Sequence, residues 1–274
     1  MSAGCSLCDE NRLRVLETAS DGVRTVQCAG CGLIWLHPSP RFDRTTHYDD
    51  QYYRPWIEEQ ARARARLWRE RAVLVERFTP RGSLLDVGCG DGSFLTAARE
   101  RGWQVAGTEV SRWAAQRLRL EQGIEVWEGD LTSLDLWRGR FDAVTMWHVL
   151  EHTERPLQNL LAARALLRDN GALVVAVPNA GRTLFRAVYP FVRWKRLQYY
   201  TPGERELHLY HFTPTTLHAM LAKAGFDPIL EGPDAGALTV AHRALEKAAR
   251  LLSVLSGANW SQALLAIARK RGAP

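Results

Sequence analysis

The sequence predicts an α/β fold, a mostly parallel β-sheet flanked by helices, with a small module of its own in front. Three observations predict it. From residue 83 onward, short apolar runs alternate with amphipathic stretches of helical period. The first run opens into a glycine-rich loop, Gly88-Cys89-Gly90-Asp91-Gly92. Four of the five cysteines fall within the first 31 residues, as two Cys-x-x-Cys pairs.

The bulk numbers agree. A chain of 274 residues with 46% hydrophobic content can bury a sizeable core. No apolar run approaches the roughly 18 residues a membrane span needs, and the first 30 residues lack the apolar stretch of a signal peptide. A reducing, cytoplasmic location is therefore expected. The net charge of +6 concentrates in residues 54–81, 182–205 and 243–271. Solvated helix faces account for such clusters as well as nucleic acid does, so charge alone selects no partner.

Residues 1–40 form the first unit. Cys5, Cys8, Cys28 and Cys31 give C-x₂-C-x₁₉-C-x₂-C, the spacing of a tetrathiolate zinc site. Gly30 and Gly32 flank Cys31 and permit a tight knuckle, and residues 23–27 and 33–36 alternate like ribbon strands. Disulfides are the competing reading, disfavoured without a secretion signal. Four thiolates leave no open coordination position, so the zinc would be structural. Residues 41–80 follow as linker and helix. The first part is an aromatic connector ending at Pro55. Then Ile57, Ala61, Ala65, Trp68, Ala72 and Val75 mark one helix face over 56–78, stopped by Pro80-Arg81-Gly82.

Residues 81–274 carry the sheet. Strands are predicted at 83–87, 104–108, 124–127, 141–147 and 172–177, separated by helices. Ser111 suits the N-cap of the second helix, with Gly123 just past its end. Residues 180–210 break the rhythm with aromatics among Arg and Lys, an insertion. It could be a lid, a partner interface, a basic amphipathic surface making peripheral membrane contact, or simply a cover for the core edge. Thr213-Pro214 opens another helix that closes at Gly225. A strand near 228–231, a helix over 238–255 and a strand over 263–269 complete the order.

The loop's details discriminate among ligands. Its glycines follow G-x-G-x-G, not the dinucleotide G-x-G-x-x-G. Asp86 ends the strand before it, and Asp91 lies within it. Carboxylates there would repel a pyrophosphate but suit a ligand bearing ammonium and sulfonium groups. Glu109 ends the second strand, 21 residues after Gly88, where it could accept from both hydroxyls of a ribose. Asp130, another 21 residues on, could accept from an adenine amino group.

At these residues the chain resembles the class I S-adenosylmethionine-dependent methyltransferases, in particular the family-23 type that includes ubiquinone-biosynthesis O-methyltransferases. The resemblance covers residues 83–270. It rests on the Asp86-to-Gly92 loop, the Phe141-Asp142 to Glu151-His152 stretch, Leu167 to Val177, His208 to Thr213, and Leu264 to Lys270. It implies a Rossmann-like, seven-stranded, mostly parallel sheet whose last strand is antiparallel. It implies S-adenosylmethionine held by Asp86, Gly88, Cys89, Gly90 and Gly92 from the first loop, Glu109 and Val110 from the second, and Asp130, Leu131 and Trp147 beyond. It also implies a small-molecule acceptor. Residues 143–147 lack the Asn/Asp-Pro-Pro-aromatic signature of amino-methyltransferases acting on bases, which favours oxygen or carbon, oxygen first.

A hydroxyl acceptor needs a base, and His148, His208 and His211 are the candidates. His148, Glu151 and His152 also echo the Glu-x-x-Glu-His metal site of the ubiquinone enzymes, with His148 in place of the first Glu, so a second, divalent metal fits the pattern. Two other functions remain in view: an RNA methyltransferase using the basic clusters, and a non-catalytic binding module. Residues 1–40 carry three bases against four acids, which is not a phosphate-binding face. The intact loop with Glu109 and Asp130 argues against the second. Oligomeric state is left open.

Overall fold

The computed structural model describes residues 4–40, 47–58, 61–133, 138–181, 183–193, 197–204, 206–234, 240–257 and 259–271. The first strands, β1 (Leu13–Thr18), β2 (Arg24–Cys28) and β3 (Ile34–His37), form an antiparallel meander in which Leu13 faces Cys28 and Val26 faces Trp35. Helices α1 (Asp50–Glu58) and α2 (Ala61–Glu76) follow. Then come β4 (Ser83–Val87), α3 (Ser93–Glu100), β5 (Gln104–Glu109), α4 (Arg112–Gln122) and β6 (Glu125–Glu128). The chain continues through β7 (Phe141–Trp147), α5 (Pro156–Leu166), β8 (Leu167–Pro178), α6 (Leu184–Arg193) and β9 (Tyr210–His211). It ends with α7 (Pro214–Lys223), β10 (Phe226–Pro233), α8 (Val240–Ser256) and β11 (Ala263–Lys270).

Seven strands make the main sheet in the order β10-β11-β8-β7-β4-β5-β6, and β11 alone runs against the rest. This is the mostly parallel sheet the sequence implied. Strand alternation splits the core into two layers. Leu85, Val87, Val144, Leu173 and Val175 face one side with Phe212, Leu217 and Phe226. Leu84, Ala143, Val174 and Ala176 face the other with Phe94, Leu118 and Val75. β7 and the second half of β8 are buried on both faces, which is why they read as continuous apolar runs.

Helix ends follow the sequence signals. Ser111 accepts from the Ala114 amide at 3.2 Å, and Gly123 closes α4 at φ 61°. Thr213 and Thr216 form a capping box ahead of α7, with Pro214 in its first turn. No helix among the described residues is long and apolar enough to cross a membrane.

Three features depart from expectation. The connector ending at Pro55 is helical from Asp50 onward: α1 contains that proline, and Tyr52 and Tyr53 bury themselves against Ala114, a tertiary contact that outweighs the missing amide. β1 is a third ribbon strand. The 180–210 insertion holds α6, packed on α8, and its return segment runs into β9, which pairs antiparallel with β3 (Ile34 with His211, Trp35 with Tyr210). The ribbon and the segment after the insertion therefore share one four-stranded sheet, β1-β2-β3-β9.

Phe141 is 1% exposed at the start of β7, whereas Leu120 on α4 is 86% exposed. Phe141→Ala should lower the unfolding free energy by about 3–5 kcal/mol in urea denaturation. Leu120→Ala should stay within about 0.5 kcal/mol of the parent.

Candidate active site

The loop between β4 and α3 is shaped by backbone. Gly88 sits at φ 64°, and a Cβ there would fall 2.7 Å from Val149. Gly90, at φ 53°, turns its amide onto Glu109 Oε2 at 2.8 Å, while the Ser111 amide donates to Glu109 Oε1 at 2.8 Å. Burial raises the Glu109 pKa and these amides oppose it; the net is above the ordinary value. Asp130 lies past β6 and accepts from the Thr132 amide at 2.9 Å.

One cavity of about 510 Å³ collects these groups. Gly88, Gly90, Glu109, Val110, Asp130 and Leu131 line it, as do Trp147, His148, Glu151, His152 and His208. Other predicted residues stand outside its wall. Asp86 is buried, accepts from Thr145 Oγ1 at 2.6 Å, and is pushed up to about 8 by burial. Asp91 is held by Arg64 at 2.7 Å in a buried ion pair, so its charge is already matched within the protein. Cys89 is buried, and Gly92 caps α3 at φ 76°.

The histidines diverge. His148 leaves β7 in the left-handed region, φ 56°, with its amide on the Ala176 carbonyl at 2.9 Å. Its Nδ1 lies 3.5 Å from Glu151, and its Nε2 lies 3.4 Å from Asp234. Burial works to lower its pKa, but the two carboxylates outweigh that and raise it to about 9. Asp234 in turn takes the Arg71 guanidinium at 2.5 Å; burial pushes its carboxyl up, and Arg71 with His148 holds it down to about 2. The guanidinium lies 4.8 Å from the Trp68 ring centre and 4.4 Å from that of Trp147.

Glu151 is 1% exposed, and neither of its oxygens finds a hydrogen-bond partner among the described residues. His152 Nδ1 must carry the proton to donate to the Leu207 carbonyl at 2.7 Å, which leaves Nε2 as an acceptor. One ligand atom each from Glu151, His152 and His208 lie within 4.8 Å of one another, a grouping able to hold a metal ion. The expected trio of His148, Glu151 and His152 is thus altered: Asp234 draws His148 aside, and His208 comes from the segment before β9. His211 is not in the cavity wall; its buried ring packs on Tyr199, and burial lowers its pKa to about 3.

Sequence reasoning missed Arg71, Asp234, Trp68, Tyr52 and Glu206. Tyr52 Oη donates to Glu206 at 2.5 Å, and both line the cavity. One signal was present. Arg64 and Arg71 flank Trp68 of the apolar stripe of α2 at spacings of four and three, which puts two arginines at its buried border. Nothing near Asp234 marked it.

The cysteine unit is closed. Cys5 and Cys31 sulfurs stand 3.5 Å apart, as do those of Cys8 and Cys28, and all four lie within 4.8 Å. Tetrahedral bonds of about 2.3 Å set sulfurs about 3.8 Å apart, so the set fits a zinc ion. The Cys31 amide donates to Cys28 Sγ at 3.4 Å, as a knuckle requires.

Comparison with known proteins gives a consistent picture. A family model described as a methyltransferase domain matches residues 57–231. A ubiquinone biosynthesis O-methyltransferase of Cereibacter sphaeroides is 30% identical over 151 residues, 53% of this chain and 60% of the relative. The match thus spans about three-fifths of that relative's length. Among solved structures, Burkholderia thailandensis 1,6-didemethyltoxoflavin-N1-methyltransferase, with bound 1,6-didemethyltoxoflavin and S-adenosylhomocysteine, aligns at TM-score 0.56 and 17% identity, covering 95% of this chain and 100% of that one. The mitomycin 7-O-methyltransferase MmcR aligns at TM-score 0.56 and 16% identity, covering 85% and 61%. These structural likenesses speak to the fold.

Arg71→Ala strands the Asp234 carboxylate and should cost about 3–5 kcal/mol in denaturation. Because the folded-state Asp234 pKa is depressed to about 2, the pair's contribution is complete above roughly pH 4 and is lost as pH falls towards 2. Acid titration of the melting temperature should show a steeper fall across that window in the parent than in the variant.

Proposed function

The chain belongs to the methyltransferase-domain family, and from that membership we propose that it transfers a methyl group from S-adenosylmethionine to an oxygen of a small-molecule acceptor. One observation carries the reading. A carboxylate fixed by loop amides, Glu109, lines the same cavity as a cluster of imidazoles and a buried acid. The relatives named as ubiquinone biosynthesis O-methyltransferases support oxygen as the target. The residues fit the cofactor: Glu109 would accept from the ribose hydroxyls and Asp130 from the adenine, while the glycines let backbone approach without Cβ interference.

S-adenosylmethionine when bound supplies an already activated methyl group for in-line displacement. The chain's own work is then alignment and proton removal. His148 is our candidate base. Neutral His148 would take the acceptor's proton, and Asp234 and Glu151 would stabilise the resulting imidazolium. Glu151, His152 and His208 would hold a divalent cation, a Lewis acid for the acceptor oxygen. The orphaned Glu151 oxygens support that assignment. We also assign a structural zinc to Cys5, Cys8, Cys28 and Cys31.

Calorimetry should find S-adenosylmethionine binding that weakens by at least about tenfold in Glu109→Ala, the loss of a charge-assisted contact. A parent protein that binds none would overturn the assignment. With a phenolic acceptor panel and labelled cofactor, His148→Ala should slow turnover on the order of 100-fold or more. The rate should climb with pH as His148 loses its proton, and Asp234→Asn should move that limb to lower pH. An unchanged limb would remove His148 from the role.

A further inference from the structure

The ribbon and the imidazole cluster are joined by several independent contacts. β3 adds β9 to its sheet, and beside that pairing the Leu36 amide donates to the Leu209 carbonyl at 3.0 Å. The Leu209 amide passes the connection on, donating to the Glu151 carbonyl at 2.8 Å. From β1, one oxygen of Glu17 accepts from the Tyr199 amide at 2.7 Å and the Tyr200 amide at 3.1 Å. Asp21 accepts from Tyr200 Oη at 2.6 Å. A small apolar cluster closes the gap, with Val23 and Leu36 of the ribbon against Tyr200, Leu207 and Leu209. The carbonyl that fixes His152 belongs to Leu207, in the middle of this segment.

The Glu109 side is held mainly by its own loops. Its amide partners are Gly90, Val110 and Ser111, after β4 and β5, and its one link to residues 199–211 among the contacts named above runs through the Tyr52–Glu206 hydrogen bond. The ribbon is also too short to build a core large enough to fold alone, so its four sulfurs must gather on a metal to fix its strands. The two halves of the cavity are thus held by different means.

We propose that the ribbon is a positioning element of the acceptor half of the cavity: through β3 and Glu17 it holds residues 199–211, and with them His208 and the anchor of His152, in place. The term acceptor half rests on the proposed methyl transfer; the mechanical claim does not. Glu17 touches no residue of the cavity wall in the contacts above and acts through the backbone of Tyr199 and Tyr200. Loss of the ribbon's metal would release this segment and spare the glycine loop.

Hydrogen exchange on the full chain tests this, with calorimetry of S-adenosylmethionine beside it. Glu17→Ala should speed exchange in peptides covering 199–212 by about tenfold or more, leaving peptides over 83–110 unchanged and cofactor affinity within about twofold. Stripping the zinc with a strong chelator should do the same and more. Glu17→Gln, which keeps an acceptor oxygen, should restore slow exchange. Parent-like exchange at 199–212 in both Glu17→Ala and the stripped protein overturns the proposal. So does an equal acceleration over 83–110, because the ribbon would then be a general stabiliser. If the parent binds no S-adenosylmethionine, the methyltransferase reading falls, while the exchange comparison still decides the ribbon's role.

Discussion

The Arg71–Asp234 ion pair is the constraint around which the cavity is arranged. It joins a helix ahead of the sheet to the end of β10, 163 residues later, and both side chains are about 5% exposed. Two buried charges are costly to desolvate, and a pair survives in such a place only when its geometry is good and its remaining surface is matched. Here two indoles lie against the guanidinium, and the imidazole of His148 approaches the same carboxylate oxygen, Oδ2, that Arg71 takes, while Arg71 Nε finds no partner among the described residues. The pair contributes little net stability beyond what apolar packing would give. What it does contribute is orientation. It fixes an acid beside a histidine whose own backbone is held at a positive φ.

The second organising fact is where the acids stand relative to the parallel sheet. Strands β4, β5 and β6 release their loops on one edge, and Glu109 and Asp130 emerge there at successive crossovers. The loop amide of Gly90 points at a carboxylate of the protein, which in a phosphate-binding loop would be the place of the ligand's own anion. That substitution changes the ligand class: the nest is already negatively occupied, and what remains attractive is a cation or a set of hydroxyl donors. Asp91 follows different logic, spent on Arg64 to seal the loop against α2.

Much of the fold was legible because its signals are local. The short apolar runs gave four central strands to within a residue and the fifth, β8, without its first five residues, and caps at Ser111, Gly123 and Thr213 bounded their helices. Pairings between distant segments were not legible. β9 is two residues long, too short for any period, and exists because β3 offers an edge. α1 includes a proline and is made helical by where Tyr52 and Tyr53 must go. The site divides the same way. Gly88, Gly90, Glu109 and Asp130 are read from motif spacing, since each sits at or just past the end of a strand. Asp234 follows a strand on the far side of the sheet, with no motif around it, and only the folded chain shows that it meets His148. The place of His208 was hidden for the same reason: it joins Glu151 and His152 from a distant segment, while His148 stands between Glu151 and Asp234.

That placement separates two chemistries that the sequence superposes. A histidine cannot serve well both as a ligand, which needs a lone pair held on a cation, and as a base, which needs that lone pair open to the acceptor. His148 stands between Asp234 and Glu151, and His208 comes from the segment before β9, so the two imidazoles have different surroundings while Glu151 is in contact with both. The arrangement has a structural consequence. His148 is anchored by elements of the main sheet, through Ala176 and Asp234, whereas His208 depends on a segment whose other edge is the ribbon. A small unit too short for a core of its own is therefore attached beside a segment that lines the cavity without belonging to the main sheet.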